Sequence, residues 1–456
     1  MSESTFTRRD FLRVAAGAAA VAATGTACGS GSDNPKPNGA AAKGGASKGR
    51  RTLRIAQWSH FVPAYDTWFD NEYTTRWGED HDVGVIVDHI PLLQLPARAD
   101  AEVAAGRGHD IFGFSLPPPA FEDHVIDHRE IVEEVEAKLG PMTPLVDRSV
   151  RNPKTGKYFA FPDYWVANAV HYRADLWEQA DPGGRPDTWD DILRAAPALK
   201  AIGHPVGLSL ADGDGDANVS LMGLMHAFGS AIQDQEASVV INSPATVEAV
   251  KLQSAIFRAG MTDEVFSWDG TSNNRHLASG KGSLILTAIS ALRAIEAQDP
   301  VLARKVELLP TPAGPEGRAG TGLYVMGVSV IWRFSPNQEL AKRFLADLVL
   351  NYREPFRRSG LYNLPAFPGA VPDLKELTAA EVTGKYAFLA DATAWSTNLG
   401  HPGHVNAAID EVVNQYLIPK MFAAAARGDM TAEDAVKAAE AQIKPIFEKW
   451  RKQGKI

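Results

Sequence analysis

Cysteine is nearly absent: Cys28 is the single one in 456 residues, so no internal disulfide can form and the fold must rest on burial. Past the first few dozen residues there is no apolar run approaching the ~20 residues that a helix needs to cross a hydrocarbon core of ~30 Å. Positive charge is in deficit, with a formal net charge of -9, which gives no general attraction to nucleic acid or anionic lipid. No G-x-x-x-x-G-K-[ST] phosphate loop, G-x-S-x-G elbow or H-E-x-x-H pair occurs, so the best-marked nucleotide-binding, serine-hydrolase and zinc-peptidase classes have no support. Carboxylates are not scarce. With 55 Asp and Glu, the paired acids of a glycosidase cannot be excluded by counting.

What remains is an ordinary globular composition, 45% hydrophobic and 22% charged, on a chain long enough for two or three domains of ~150 residues. Its front end reads as an address. Thr7-Arg8-Arg9-Asp10-Phe11-Leu12-Arg13 precedes a modest Ala- and Gly-rich apolar run from Val14 to Ala27, which resembles a twin-arginine export signal and is too short to span a bilayer. Gly25-Thr26-Ala27-Cys28 resembles a lipoprotein processing site, with Gly25 where such sites usually carry an aliphatic residue. The expectation is a signal peptide over 1–27, lipid on Cys28, and a Gly-, Ser-, Ala- and Lys-rich tether over 28–50. That arrangement implies an exported protein held at the outer face of a membrane.

From Thr52 onward short β-rich runs alternate with helical patterns, which favours an α/β fold. Candidate strands are Leu53–Ala56, Val83–Val87, Asp110–Phe114, Val206–Leu210 and Ser283–Leu286. Helix starts are marked by Ser243-Pro244, with Gly260 at the far end, and by Thr188 with Asp191 and Thr431 with Asp434. Ser335-Pro336-Asn337-Gln338 reads as a capping box ahead of Leu340, Phe344, Leu345 and Leu348. In the last helix Val436, Ala439, Ile443, Phe447 and Trp450 recur at helical intervals, with Pro445 expected to kink it. Such stripes are core.

Read in order, several segments resemble the family 1 extracellular solute-binding proteins of sugar-type ABC importers, over nearly the whole chain after Arg51. The segments are Gly108-His109-Asp110-Ile111-Phe112, the run from Gly156 through Tyr164-Trp165 to Trp177, and Thr188-Trp189-Asp190-Asp191. Gly215-Asp216-Ala217-Asn218, Ser272-Asn273-Asn274-Arg275 and Gly400-His401-Pro402-Gly403 continue the series. The resemblance implies a two-lobed, type II periplasmic-binding-protein-like fold, each lobe a central sheet flanked by helices, joined at a hinge that the chain crosses more than once. The expected division is 51–163 plus 306–352 for the first lobe and 164–305 plus 353–456 for the second. It also implies a monomeric, non-enzymatic protein without cofactor that delivers a sugar or polyol to ABC permease subunits. The alternative kept beside it is an exported carbohydrate-active hydrolase.

A sugar ring offers a flat C–H face and a rim of hydroxyls, so its site needs aromatic plates and planar polar groups. Trp58, just past the first strand, and Tyr164 and Trp165, at the crossing, are the first aromatic candidates, followed by Trp268 and Trp395 in loop-like sequence. Polar candidates are Asp216, Asn218, Asn273 and Asn274, with Tyr324, His401 and Asn363 behind them. The stretch Asp212–Asn218 invites a calcium-loop reading. Counted from Asp212, however, the sixth and twelfth positions hold Ala217 and Gly223 where such a loop wants Gly and a bidentate Glu, so no metal is expected.

Overall fold

The computed structural model describes residues 51–213, 215–323 and 325–456; the leader over 1–27, Cys28, the rest of the tether, Asp214 and Tyr324 lie outside the described residues. In Arg51–Trp58 (β1) apolar alternation buries Leu53 and Ile55 on one face while Ala56 and Trp58 are buried on the other, and the strand pairs in parallel with Val83–Ile90 (β2) along its whole length. Ile111–Phe114 (β3) joins its other edge. The strands Phe161–Val166 (β4), Val325–Ile331 (β10) and Leu364–Pro365 (β11) complete a six-stranded sheet in the order β11-β4-β10-β3-β1-β2.

A second sheet is built around Asn168–Arg173 (β5), every residue of which is buried, as expected of a strand covered on both faces. It runs antiparallel to Leu284–Ala288 (β7) and Val306–Pro310 (β8), and Val206–Gly207 (β6) pairs in parallel with β7, giving β6-β7-β5-β8. Two short strands, Gly322–Leu323 (β9) and Ser396–Thr397 (β12), pair separately. The architecture is the two-lobed type II arrangement, with one buried cluster around the six-stranded sheet and a second among helices that include Trp189–Ala201, Pro244–Gly260 and Ala432–Lys452.

Chain crossings position the site. Only Ala167 separates β4 in the first sheet from β5 in the second, and the chain returns from β8 through β9 to β10. The run from Gly156 to Trp177 thus contains two adjacent strands of different sheets. Two segments pair differently from the expected division: β8 belongs to the second sheet through β5, and β11 to the first through β4. Both pairings join residues well over a hundred positions apart, so no local pattern marks them.

Local signals fared unevenly for identifiable reasons. Thr188 and Asp191 form a full capping box, and Ser243 and Thr431 accept from Thr246 N and Asp434 N. Ser335 makes no capping box with Gln338: its Oγ accepts from Asn337 N at 3.0 Å and donates to Asp110 Oδ1 at 2.6 Å, a buried carboxylate that also takes Asn337 Nδ2 and Arg54 N as donors, while Gln338 Nε2 turns to Arg333 O. The strand expected over Val206–Leu210 is only Val206–Gly207. The last helix is continuous through Pro445, from Ala432 to Lys452. Among the described residues no helix is long and apolar enough to cross a membrane, and no group of three or more His, Cys, Asp or Glu is placed to hold a metal ion.

Candidate functional site

The C-terminal ends of β1 and β3 and the turn after β2 open toward the second sheet, which is where an α/β sheet exposes side chains to a ligand. Trp58 ends β1, with Phe61 edge-on at 5.2 Å and His60 stacked behind it at 4.9 Å. With Leu92 and Leu116 these residues make one wall of a narrow crevice. The facing wall comes from the second sheet and its helices: Asp216 on Gly215–Ala227, Asn274 on Ser272–Ala278, Thr287 in β7 and Ser290 just after it. Val166 and Asn168, on either side of the crossing at Ala167, close the bottom, and Tyr362, Ser115, Val219 and Leu323 are also among the lining residues.

The polar wall is cross-linked. Asp216 Oδ2 accepts from Thr287 Oγ1 at 3.1 Å and from Asn273 Nδ2. Asn273 Oδ1 in turn accepts from Asn274 N at 2.7 Å, which fixes the start of that helix. Asn274 Oδ1 is buried and has no hydrogen-bond partner among the described residues, an acceptor left for whatever enters. Burial first, and then the negative charge of Asp216, push the Tyr362 hydroxyl well above its ordinary value against the lowering effect of its hydrogen bond with Ser290. It is therefore a neutral hydroxyl at any physiological pH. The crevice volume is about 90 Å³, small beside the ~300–1,000 Å³ of typical small-molecule pockets, so entry of a solute requires the walls to part.

Of the residues singled out from sequence, Trp58, Asp216 and Asn274 meet in this crevice, and Asn273 stands directly behind Asp216. Tyr164 lies on the far side of Trp58, donating no face to the crevice but accepting the Trp58 Nε1 hydrogen bond at 2.9 Å. Trp165, its neighbour on an alternating strand, is buried and donates to Pro365 O at 3.0 Å, away from the crevice. Asn218 faces the C-terminal helices, with Nδ2 on Val413 O at 3.1 Å.

Trp268 and Trp395 are packing residues that fill space over strand glycines. A Cβ on Gly207 would sit 2.9 Å from the Trp268 ring, and one on Gly322 would sit 2.8 Å from that of Trp395. His401 bonds Thr397 Oγ1 at 2.8 Å and lies 4.7 Å from the His226 ring, and Asn363 holds His60 Nε2 at 3.0 Å. None of these four lines the crevice. Tyr324 lies outside the described residues. Sequence reasoning passed over Phe61, Leu92, Leu116, Thr287, Ser290 and Tyr362. The strand-end rule used for Trp58 applies equally to Thr287 and Ser290, whereas nothing local marks Tyr362.

Comparison with known proteins places this arrangement. Residues 99–348, more than half of the chain, match the family described as bacterial extracellular solute-binding protein. Provisionally named binding proteins of Brucella abortus and Brucella suis are each 29% identical over 193 residues, 42% of this chain. The matched stretch spans under half of those relatives' length, 46%.

Among solved structures, maltose-bound MalE3 of T. maritima superposes with a TM-score of 0.72 at 21% identity, over 86% of this chain and 99% of the other. A sugar transporter protein of Arthrobacter chlorophenolicus with bound laminaribiose gives 0.73 at 16% identity, over 87% and 99%. An ABC transporter solute-binding protein of Agrobacterium radiobacter in complex with ribitol gives 0.70 at 18% identity, over 87% and 98%. At these identities the likeness is one of fold.

Proposed function

The chain belongs to the bacterial extracellular solute-binding protein family, and from that premise we propose that it captures a sugar or polyol between its lobes and delivers it to the permease of an ABC importer. The observation that carries this reading is the origin of the crevice walls. An aromatic and aliphatic wall led by Trp58 comes from the first sheet, a hydrogen-bonding wall of Asp216, Asn274, Thr287 and Ser290 comes from the second, and the two meet at the crossing beside Ala167. Relatives of this fold holding maltose, laminaribiose and ribitol support the solute class.

The mechanism follows from the crossings. A solute that touches both walls stabilises the closed arrangement over the open one by the contacts it makes only there, so binding shifts the population toward closure. The permease then distinguishes loaded from empty protein by that closed shape. The solute leaves chemically unchanged. Export by the twin-arginine leader and lipid on Cys28 would keep the protein at the outer face of the membrane where the importer opens.

The test is a thermal-shift screen of mono- and disaccharides and polyols with product analysis on the same samples. A rise in melting temperature without product is the expected result; release of a cleaved sugar would replace the binder with the hydrolase.

A further inference from the structure

The crevice has a charge imbalance that restricts what it can hold. Among its described lining residues Asp216 is the one ionisable acid, and no Lys, Arg or His lines it. Asp214 and Tyr324, the two positions after Arg51 outside the described residues, are not cationic by sequence. A helix N-terminus does open here, that of Gly215–Ala227, and such ends ordinarily attract anions. Its own first-turn carboxylate, Asp216, already stands at that end, and its charge is what, after burial, raises the Tyr362 hydroxyl. An anionic group entering this narrow space would lose its hydration, meet Asp216, and find no cation.

The walls also differ in kind. Trp58, Phe61, Leu92 and Leu116 present a mainly apolar surface, with the Trp58 indole spent on Tyr164 and the Ser115 hydroxyl the one side-chain polar group beside them. Asp216, Asn274, Thr287 and Ser290 offer hydrogen-bonding groups across the gap. A solute satisfied by both walls carries hydroxyls on one side and a C–H face on the other.

We propose that the crevice selects an uncharged hydroxylated solute with one apolar face and excludes phosphorylated and carboxylated counterparts, with Asp216 as the residue that sets the exclusion. This rests on the reading that the crevice is the solute site. It goes further in dividing sugars by charge, because a family-type fold alone is equally compatible with sugar phosphates.

The experiment is calorimetric titration of the full chain with glucose, galactose, mannose and maltose, each beside its 6-phosphate, and with the hexuronates. The expected result is binding of at least one neutral sugar with its phosphate at least thirtyfold weaker. In Asp216→Asn that gap should narrow at least threefold even where neutral affinity falls as well. If Asp216→Asn does not fold, Asp216→Ser, which removes the carboxylate and keeps a hydroxyl beside Thr287 and Asn273, should narrow the gap likewise. A phosphate or uronate that binds as tightly as its neutral partner overturns the charge exclusion while leaving the sugar site intact. A gap that neither variant changes overturns the role of Asp216. No binding by any neutral or charged member overturns the solute reading itself, and the exclusion with it.

Discussion

Trp58 donates its indole Nε1 to the Tyr164 hydroxyl at 2.9 Å, so the aromatic wall of the crevice is tied to the strand that, three residues on, crosses into the second lobe. Tyr164 itself lies flat over Gly327, where a Cβ would come within 2.3 Å of its ring. The plate is therefore supported from behind by an aromatic ring that only a glycine in β10 leaves room for.

Tyr164→Phe keeps that ring and removes only the acceptor. Leaving the buried Trp58 N–H without a partner should cost about 1–3 kcal/mol in unfolding free energy. Chemical denaturation followed by tryptophan emission measures it, and solute affinity should fall as the plate loosens. An unchanged midpoint would show that the indole bond contributes nothing to the wall.

Gly223 sits on the helix that carries Asp216, where a Cβ would meet the Thr321 carbonyl oxygen at 2.3 Å. Thr321 belongs to the return crossing between β8 and β10, so Gly223→Ala should push that crossing away from the site helix. The expected loss is about 1–3 kcal/mol of stability from overpacking, together with weaker solute binding at temperatures where the variant is folded. A variant with wild-type melting temperature and affinity would show that the close approach is not required.

His109 is buried with Nδ1 on Glu102 Oε1 at 2.6 Å and Nε2 on Asp88 Oδ2 at 2.8 Å. Burial alone would lower its pKa; the bonds and charges of Glu102 and Asp88 outweigh that and raise it above 6.5. A folded value above the unfolded one contributes stability that is complete below pH 6.5 and is lost as pH rises through the folded value. Melting temperature should therefore fall as pH rises above 6.5, and His109→Gln should remove that part of the slope. An unaltered slope in the variant would contradict the doubly bonded imidazolium.

Behind Trp58 a cavity of about 40 Å³ inside the first lobe reaches Asp163. Its Oδ2 accepts from Ser329 Oγ at 2.9 Å, and its Oδ1 is buried with no hydrogen-bond partner among the described residues. Burial pushes this carboxyl up to about 7, against the lowering effect of Ser329. The protonated acid is the form the fold accommodates, so its contribution is full below 3.8 and lost as pH rises through about 7. Asp163→Asn should flatten the pH dependence of the Trp58 emission near neutrality in a protein that also carries His109→Gln. A transition that persists in that double variant would assign the titration to another group.

Some of this was written locally in the chain and some was not. The run from Gly156 to Trp177 was marked as a crossing by its resemblance to the family and by no local pattern of its own; it carries β4 and β5, which pair in different sheets. Trp58 was legible because a strand end faces a cleft. Period-two alternation says that Tyr164 and Trp165 face opposite ways without saying which way, and only the pairing of β4 with β10 and β11 decides it. Trp268 and Trp395 looked available because their segments are loop-like, but the glycines they cover, Gly207 and Gly322, are 61 and 73 positions away in sequence. Ser335 was half legible: its Oγ accepts from Asn337 N two residues on, but the proton goes to Asp110, 225 positions distant.

The most direct test is titration of the wild-type chain, Trp58→Ala and Asn274→Ala with the solute that gives the largest thermal shift. Opposed walls predict one site per chain and at least a tenfold loss of affinity in each variant, with melting of the unliganded protein cooperative in all three. Wild-type affinity in both variants would mean that the solute binds elsewhere, and the crevice between the lobes would not be its site.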